Sequence, residues 1–116
     1  MPGQEGGVLP RVAFGVAVLV SLVVLFVPAS GVPTAPPGTD KVVHLLLFAA
    51  LAVTGRWAGF ARLPLGAGLV AYAVLSEVVQ GTTPLNRSAS VADGLADVAG
   101  VLLGLLVWAA ATRRTR

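Results

Sequence analysis

Cysteine is absent from this 116-residue chain, histidine and tyrosine occur once each, and only 11% of the residues are charged. The missing cysteines exclude disulfides, thiolate metal centres and cysteine nucleophiles. A single imidazole cannot build a histidine-rich metal site. Soluble domains carry roughly 25% charged residues. The shortage of charge here, with 56% hydrophobic residues and a mean hydropathy of +0.89, therefore excludes an ordinary water-soluble domain. No repeat, coiled-coil run or serine-nucleophile motif is present, and Ser76, Ser88 and Ser90 read as capping and loop residues. A pI near 10.7 would suggest a nucleic-acid ligand in a soluble protein. Here the basic residues flank apolar runs, and no nucleic-acid partner is expected.

What remains is four apolar stretches separated by short Pro/Gly-rich loops. In lipid every backbone group must be satisfied within its own segment, so the expected fold is all-α, a polytopic membrane bundle of about four transmembrane helices in one domain whose first partner is the bilayer. The spans read as about 12–27, 41–57, 64–80 and 91–111. The first, from Val12 to Val27, covers only about 24 Å, somewhat less than a hydrocarbon core of roughly 30 Å. Asp40 or Thr39 is the expected N-cap of the second, and Gly55 weakens its end. Pro64 opens the third in a first-turn position, and Gly81-Thr82-Thr83-Pro84 breaks it. Ser90 is the expected N-cap of the fourth. The first stretch has a rival reading as a signal peptide, with Val27-Pro28-Ala29 as a small-residue cleavage site.

Charge orients the bundle. With four spans the termini and the middle loop share a side holding Arg11, Arg56, Arg62, Arg113, Arg114 and Arg116, whereas the other side has Lys41 and Arg87. By the positive-inside rule the termini are cytoplasmic. Trp57 and Trp108 read as interfacial anchors near the cytoplasmic side, and Tyr72 as a packing residue. The small residues Ala92, Ala96, Gly100 and Gly104 recur every fourth position, which permits close helix contact. That stripe serves a neighbour within the bundle or a homodimer through Gly100 and Gly104.

The remaining ionisable groups gather at the opposite, outward end. Asp40, Lys41 and His44 open the second span, Glu77 and Gln80 close the third, and Arg87, Asp93 and Asp97 lie at the start of the fourth. Ionisable groups within the bilayer are costly and mark functional sites by default. By depth, His44 and Glu77 should pair, with Asp97 within reach. A structural tie between helices would explain such a pair, but not seven polar groups at one level. As a binding site, the cluster offers Arg87 as a forked donor for phosphate or carboxylate and Lys41 as added charge, oriented by the carboxylates. As a catalytic site, it offers His44 as general acid/base oriented by Glu77, with Asp93 and Asp97 as proton acceptors or metal ligands. Oxygen-rich donors among His44, Glu77, Asp93 and Asp97 would suit Mg, Mn or Zn, but no resident metal or cofactor is expected.

The motifs Asp40-Lys41-Val42-Val43-His44, Glu77-Val78-Val79-Gln80, and Arg87 followed six residues later by Asp93, in this order and ahead of Gly100 and Gly104, resemble the VanZ-like family of small bacterial membrane proteins. The resemblance covers about residues 39–104. It implies a bacterial cytoplasmic membrane protein, an envelope setting linked to teicoplanin-type glycopeptide resistance, and Asp40, Lys41, His44, Glu77, Gln80, Arg87 and Asp93 as binding residues. Binding of a lipid-linked or anionic envelope group is the first expectation, and hydrolysis or transfer on a lipid-linked substrate the alternative. The chain departs from the family at Asp97, where Asn is common. A carboxylate there requires a proton, a cation or Arg87 to compensate it.

Overall fold

A computed structural model describes residues 6–26, 38–82 and 91–114. Four helices follow in order, α1 (Val8–Phe26), α2 (Thr39–Trp57), α3 (Arg62–Thr82) and α4 (Val91–Arg114). The architecture is the expected all-helical membrane bundle. α1, α3 and α4 are long and apolar enough to cross a bilayer. α2, 19 residues long like α1, carries Asp40, Lys41 and Arg56 at its two ends. Placing those charges at the interfaces leaves His44 as its one ionisable group at depth. The bundle measures 46 × 25 × 24 Å, and the long axis matches a bilayer with its headgroup layers, roughly 40–45 Å.

The helix starts differ from expectation in instructive ways. α1 begins a turn earlier than Val12, because Pro10 and Arg11 fit a first turn whose N–H groups have no intrahelical partner in any case. Its 19 residues extend about 28 Å, which removes most of the expected mismatch with the bilayer. Neither Asp40 nor Thr39 caps α2. The cap position is Gly38, in the left-handed conformation at φ 88°, and no side chain bonds the helix end. α3 begins at Arg62, with Pro64 still inside its first turn. The expected span end at Val27, the cap at Ser90, and Arg87 lie outside the described residues.

α2 and α3 are joined by a tight turn that ends α2 in a Schellman motif. Gly59 takes φ 105°, its N–H bonds Arg56 O at 3.1 Å, and the Phe60 N–H bonds Gly55 O at 3.1 Å, so the final carbonyls of α2 are satisfied. Gly55 does more than weaken the helix end. A Cβ there would press on Leu65 and Phe14, so the glycine lets α1, α2 and α3 converge.

α2 sits at the centre, against α1, α3 and α4, and its seam with α4 is the most extensive. The two helices run parallel, as up-down-up-down order requires. Lys41 meets Asp93 and His44 meets Asp97, at sequence separations of 52 and 53. Further along, a Cβ on Gly100 would fall onto the Leu45 carbonyl, and one on Gly104 onto Ala49 O and the Ala52 side chain. Of the small-residue stripe, Gly100 and Gly104 are thus covered by α2 inside the bundle, whereas Ala96 is half-buried and Ala92 exposed. The core comprises Leu25, Phe48, Leu51, Ala52, Leu65, Leu69, Ala73 and Val101. Large apolar side chains such as Leu19, Val23, Leu46, Leu75, Leu95 and Leu106 face outward. In water that surface would be an association patch; in a bilayer it faces lipid.

α1 is a full member of this core. It contributes Leu25 and buries Ser21, whose hydroxyl donates to Val18 O (2.7 Å) and accepts from Tyr72 (2.8 Å). The Tyr72 ring packs on Phe48 with centroids 5.7 Å apart.

Candidate functional site

α2 and α4 begin at the end where α1 and α3 finish, so the three motif-bearing segments meet there. The first and second turns of α2 supply Asp40, Lys41 and His44, the last turns of α3 supply Glu77 and Gln80, and the first two turns of α4 supply Asp93 and Asp97. On α2 the basic groups are three residues apart and on α4 the acids are four apart, spacings that each put both members on one helix face. Laid in parallel, the two faces match pairwise. Lys41 Nζ–H donates to Asp93 Oδ1 at 3.0 Å. His44 Nδ1 and Asp97 Oδ1 are hydrogen-bonded at 2.7 Å, with both side chains withdrawn from the surface. His44 Nε2 lies 3.5 Å from Asp40 Oδ1, one turn back on its own helix.

The expected His44–Glu77 pair is therefore corrected. Depth was read properly, but the face of α2 that carries His44 turns toward α4, and Asp97 takes the close position. Glu77 is the third member of the group: ligand-type atoms of His44, Glu77 and Asp97 lie within 4.8 Å of one another. The described group hydrogen-bonded to Asp97 is the imidazole of His44.

Gln80 has a structural partner, its amide donating to Leu25 O at 2.5 Å. That carbonyl is in the last turn of α1 and has no intrahelical donor, so Gln80 ties the end of α1 to α3. Trp108, read from sequence as an interfacial anchor, is packed inside the bundle at 3% exposure.

Two sets of side chains have metal-ligand spacing, Asp40 with His44 and Asp93, and His44 with Glu77 and Asp97. In the first, Asp93 is engaged by Lys41. The second is the better donor set. His44 and Asp97 are buried and Glu77 nearly so, and Asp97 Oδ2 has no hydrogen-bond partner among the described residues. Buried oxygens of carboxylates are rarely left so, and oxygen donors with one imidazole fit a divalent cation such as Mg, Mn or Zn. Among the described residues the cluster holds four carboxylates, Asp40, Glu77, Asp93 and Asp97, against Lys41 and one imidazole. Its field is therefore that of a cation or proton site, and direct capture of an anion must rely on Lys41 at the rim or on an added cation.

Sequence reasoning missed the Ser21–Tyr72 link, although the only serine in an uncharged span and the only tyrosine in the chain were a usable signal. It also missed the ladder match between Lys41/His44 and Asp93/Asp97, which the parallel order of alternate helices made available. Comparison with family models, curated proteins and solved structures finds no match to this chain.

Proposed function

We propose that this protein is a VanZ-like protein of a bacterial cytoplasmic membrane, and that its acidic end faces outward and binds an anionic envelope or lipid-linked group, in the setting of teicoplanin-type glycopeptide resistance. The observation that carries this reading is the gathering of Lys41, His44, Glu77, Asp93 and Asp97, from three separate helix ends, at one level of the bundle. The order and spacing of the three motifs support the family, and the arginines at the far end support cytoplasmic termini. Half-exposed Lys41 and the neighbouring Asp40 form the rim. The buried set His44, Glu77 and Asp97 would hold a divalent cation that offsets the carboxylates and meets the anionic group.

A second reading, hydrolysis or transfer on a lipid-linked substrate, is favoured by one observation. His44 is held between Asp97 at 2.7 Å and Asp40 at 3.5 Å, an arrangement that fixes a ring orientation and could pass a proton. Asp97 then takes the orienting role first given to Glu77.

Native mass spectrometry of the purified protein with its co-purified lipids and metals tests the two readings. Retention of a phosphate-bearing lipid that falls in Lys41→Gln supports binding. A stoichiometric divalent metal that is lost in Asp97→Asn, together with turnover of a lipid-linked substrate that EDTA stops, favours catalysis. Neither lipid nor metal dependent on these residues would overturn both. For orientation, cysteine in place of Thr82 should react with an impermeant maleimide applied to intact cells, and cysteine in place of Ala61 should not; the reverse pattern would invert the topology.

A further inference from the structure

The opposite end of the bundle holds a second polar concavity. Arg56 from the end of α2, Arg62 from the start of α3 and Arg113 from the end of α4 converge on a pocket of about 340 Å³, within the roughly 300–1,000 Å³ of small-ligand sites. Among the described residues no carboxylate lines it. Buried Trp108 forms part of its wall, and Leu105 and Leu106 continue it toward the membrane, Leu106 being turned out to lipid. Arg56 donates one N–H to Phe60 O at 2.8 Å, which anchors its guanidinium at the mouth.

Arginine at a span end is commonly a topological signal only, snorkelling singly into the interface. Three features distinguish this group. The arginines come from three different helices, they border one concavity, and the wall below them is apolar. Basic pockets between transmembrane helices suit anionic headgroups, and guanidinium forks match phosphate oxygens.

We infer that the Arg56–Arg62–Arg113 pocket is a binding site for the phosphate of an anionic phospholipid, with the acyl chain lying along Leu105 and Leu106. This site is separate from the acidic cluster and does not depend on the function assigned there or on which leaflet it meets. A free phosphate ion shares the recognition chemistry but would gain nothing from the leucine wall.

The test uses the full-length protein in neutral detergent, titrated with short-chain phosphatidylglycerol, short-chain phosphatidylcholine or inorganic phosphate, and read by native mass spectrometry and by thermal unfolding. Phosphatidylglycerol should bind saturably at one per chain and raise the unfolding temperature, while phosphatidylcholine and phosphate do neither. Arg62→Gln with Arg113→Gln should weaken phosphatidylglycerol binding by about tenfold or more. Both side chains are exposed, so the variant should remain helical, which circular dichroism checks. Arg11→Gln removes the same charge at the same end, but Arg11 borders a neighbouring concavity with Phe14 and Gly59; it should leave binding unchanged. Equal loss in Arg11→Gln would show a diffuse positive field and overturn the pocket. Equal binding of phosphatidylcholine would overturn headgroup recognition, and displacement by inorganic phosphate would overturn the lipid as ligand. Lys41→Gln should have no effect, which separates this site from lipid held at the acidic end.

Discussion

The two ends of the bundle are built from opposite charges in opposite ways. At one end all four described carboxylates lie among Lys41 and His44, and the pairs are internal, with Asp97 and His44 sealed between α2 and α4. At the other, Arg11, Arg56, Arg62 and Arg113 border open concavities, and no described carboxylate accompanies them. The acidic end is therefore coupled to the fold, because its charges are each other's solvation. The arginine end is coupled to its surroundings, because its charges are left to water, lipid phosphate and backbone carbonyls. Removing one partner of a buried pair strands the other at a cost of about 3–5 kcal/mol, whereas exposed charges seldom contribute measurably.

The largest effect is expected where the two ends are held in common register. Gly100→Ala places a methyl group on the Leu45 carbonyl, backbone against backbone, so α2 and α4 must separate. A loss of about 3 kcal/mol or more is expected in mixed-micelle unfolding. A variant as stable as the parent would contradict the parallel α2–α4 seam on which the comparison rests.

Next, Asp97→Ala should cost about 3 kcal/mol by the same measurement, while Arg113→Ala should leave the unfolding curve where it was. In a double-mutant cycle His44 and Asp97 should couple by more than about 1 kcal/mol, and His44 and Glu77 by less. Equal sensitivity at Asp97 and Arg113 would erase the contrast between the ends. A larger coupling to Glu77 would restore the pair that depth alone suggested.

The smallest effect belongs to the middle of the bundle, which neither end controls. Tyr72→Phe removes the donor to Ser21 but leaves Ser21 bonded to Val18, so about 1 kcal/mol should be lost. The Lys41–Asp93 and His44–Asp97 contacts should be untouched, which lipid retention at each end would report. A change in retention at either end would mean that the core transmits between them.

Much of the acidic end was legible from the sequence because helix order and length fix depth. Asp40, Lys41 and His44 start a helix, Glu77 and Gln80 finish the antiparallel one that follows, and Asp93 and Asp97 start the next, so alternation alone gathers them. The partners were less legible. Gln80 looked like a ligand-facing group until Leu25, 55 residues away, proved to be the acceptor of its amide. Gly100 and Gly104 announced close packing, but not that α2 would be the helix covering them.

The sequence by itself determined the class, the helices and the end at which each charge resides. Apolar runs in lipid must satisfy their backbone internally, and a fixed rise per residue converts position into depth. Only the tertiary structure decided the rotation of each helix about its own axis. That rotation, set where Gly100 and Gly104 let the backbones of α2 and α4 approach, placed Asp97 and not Glu77 at His44, because among groups at one depth the hydrogen bond goes to the face that packing turns inward.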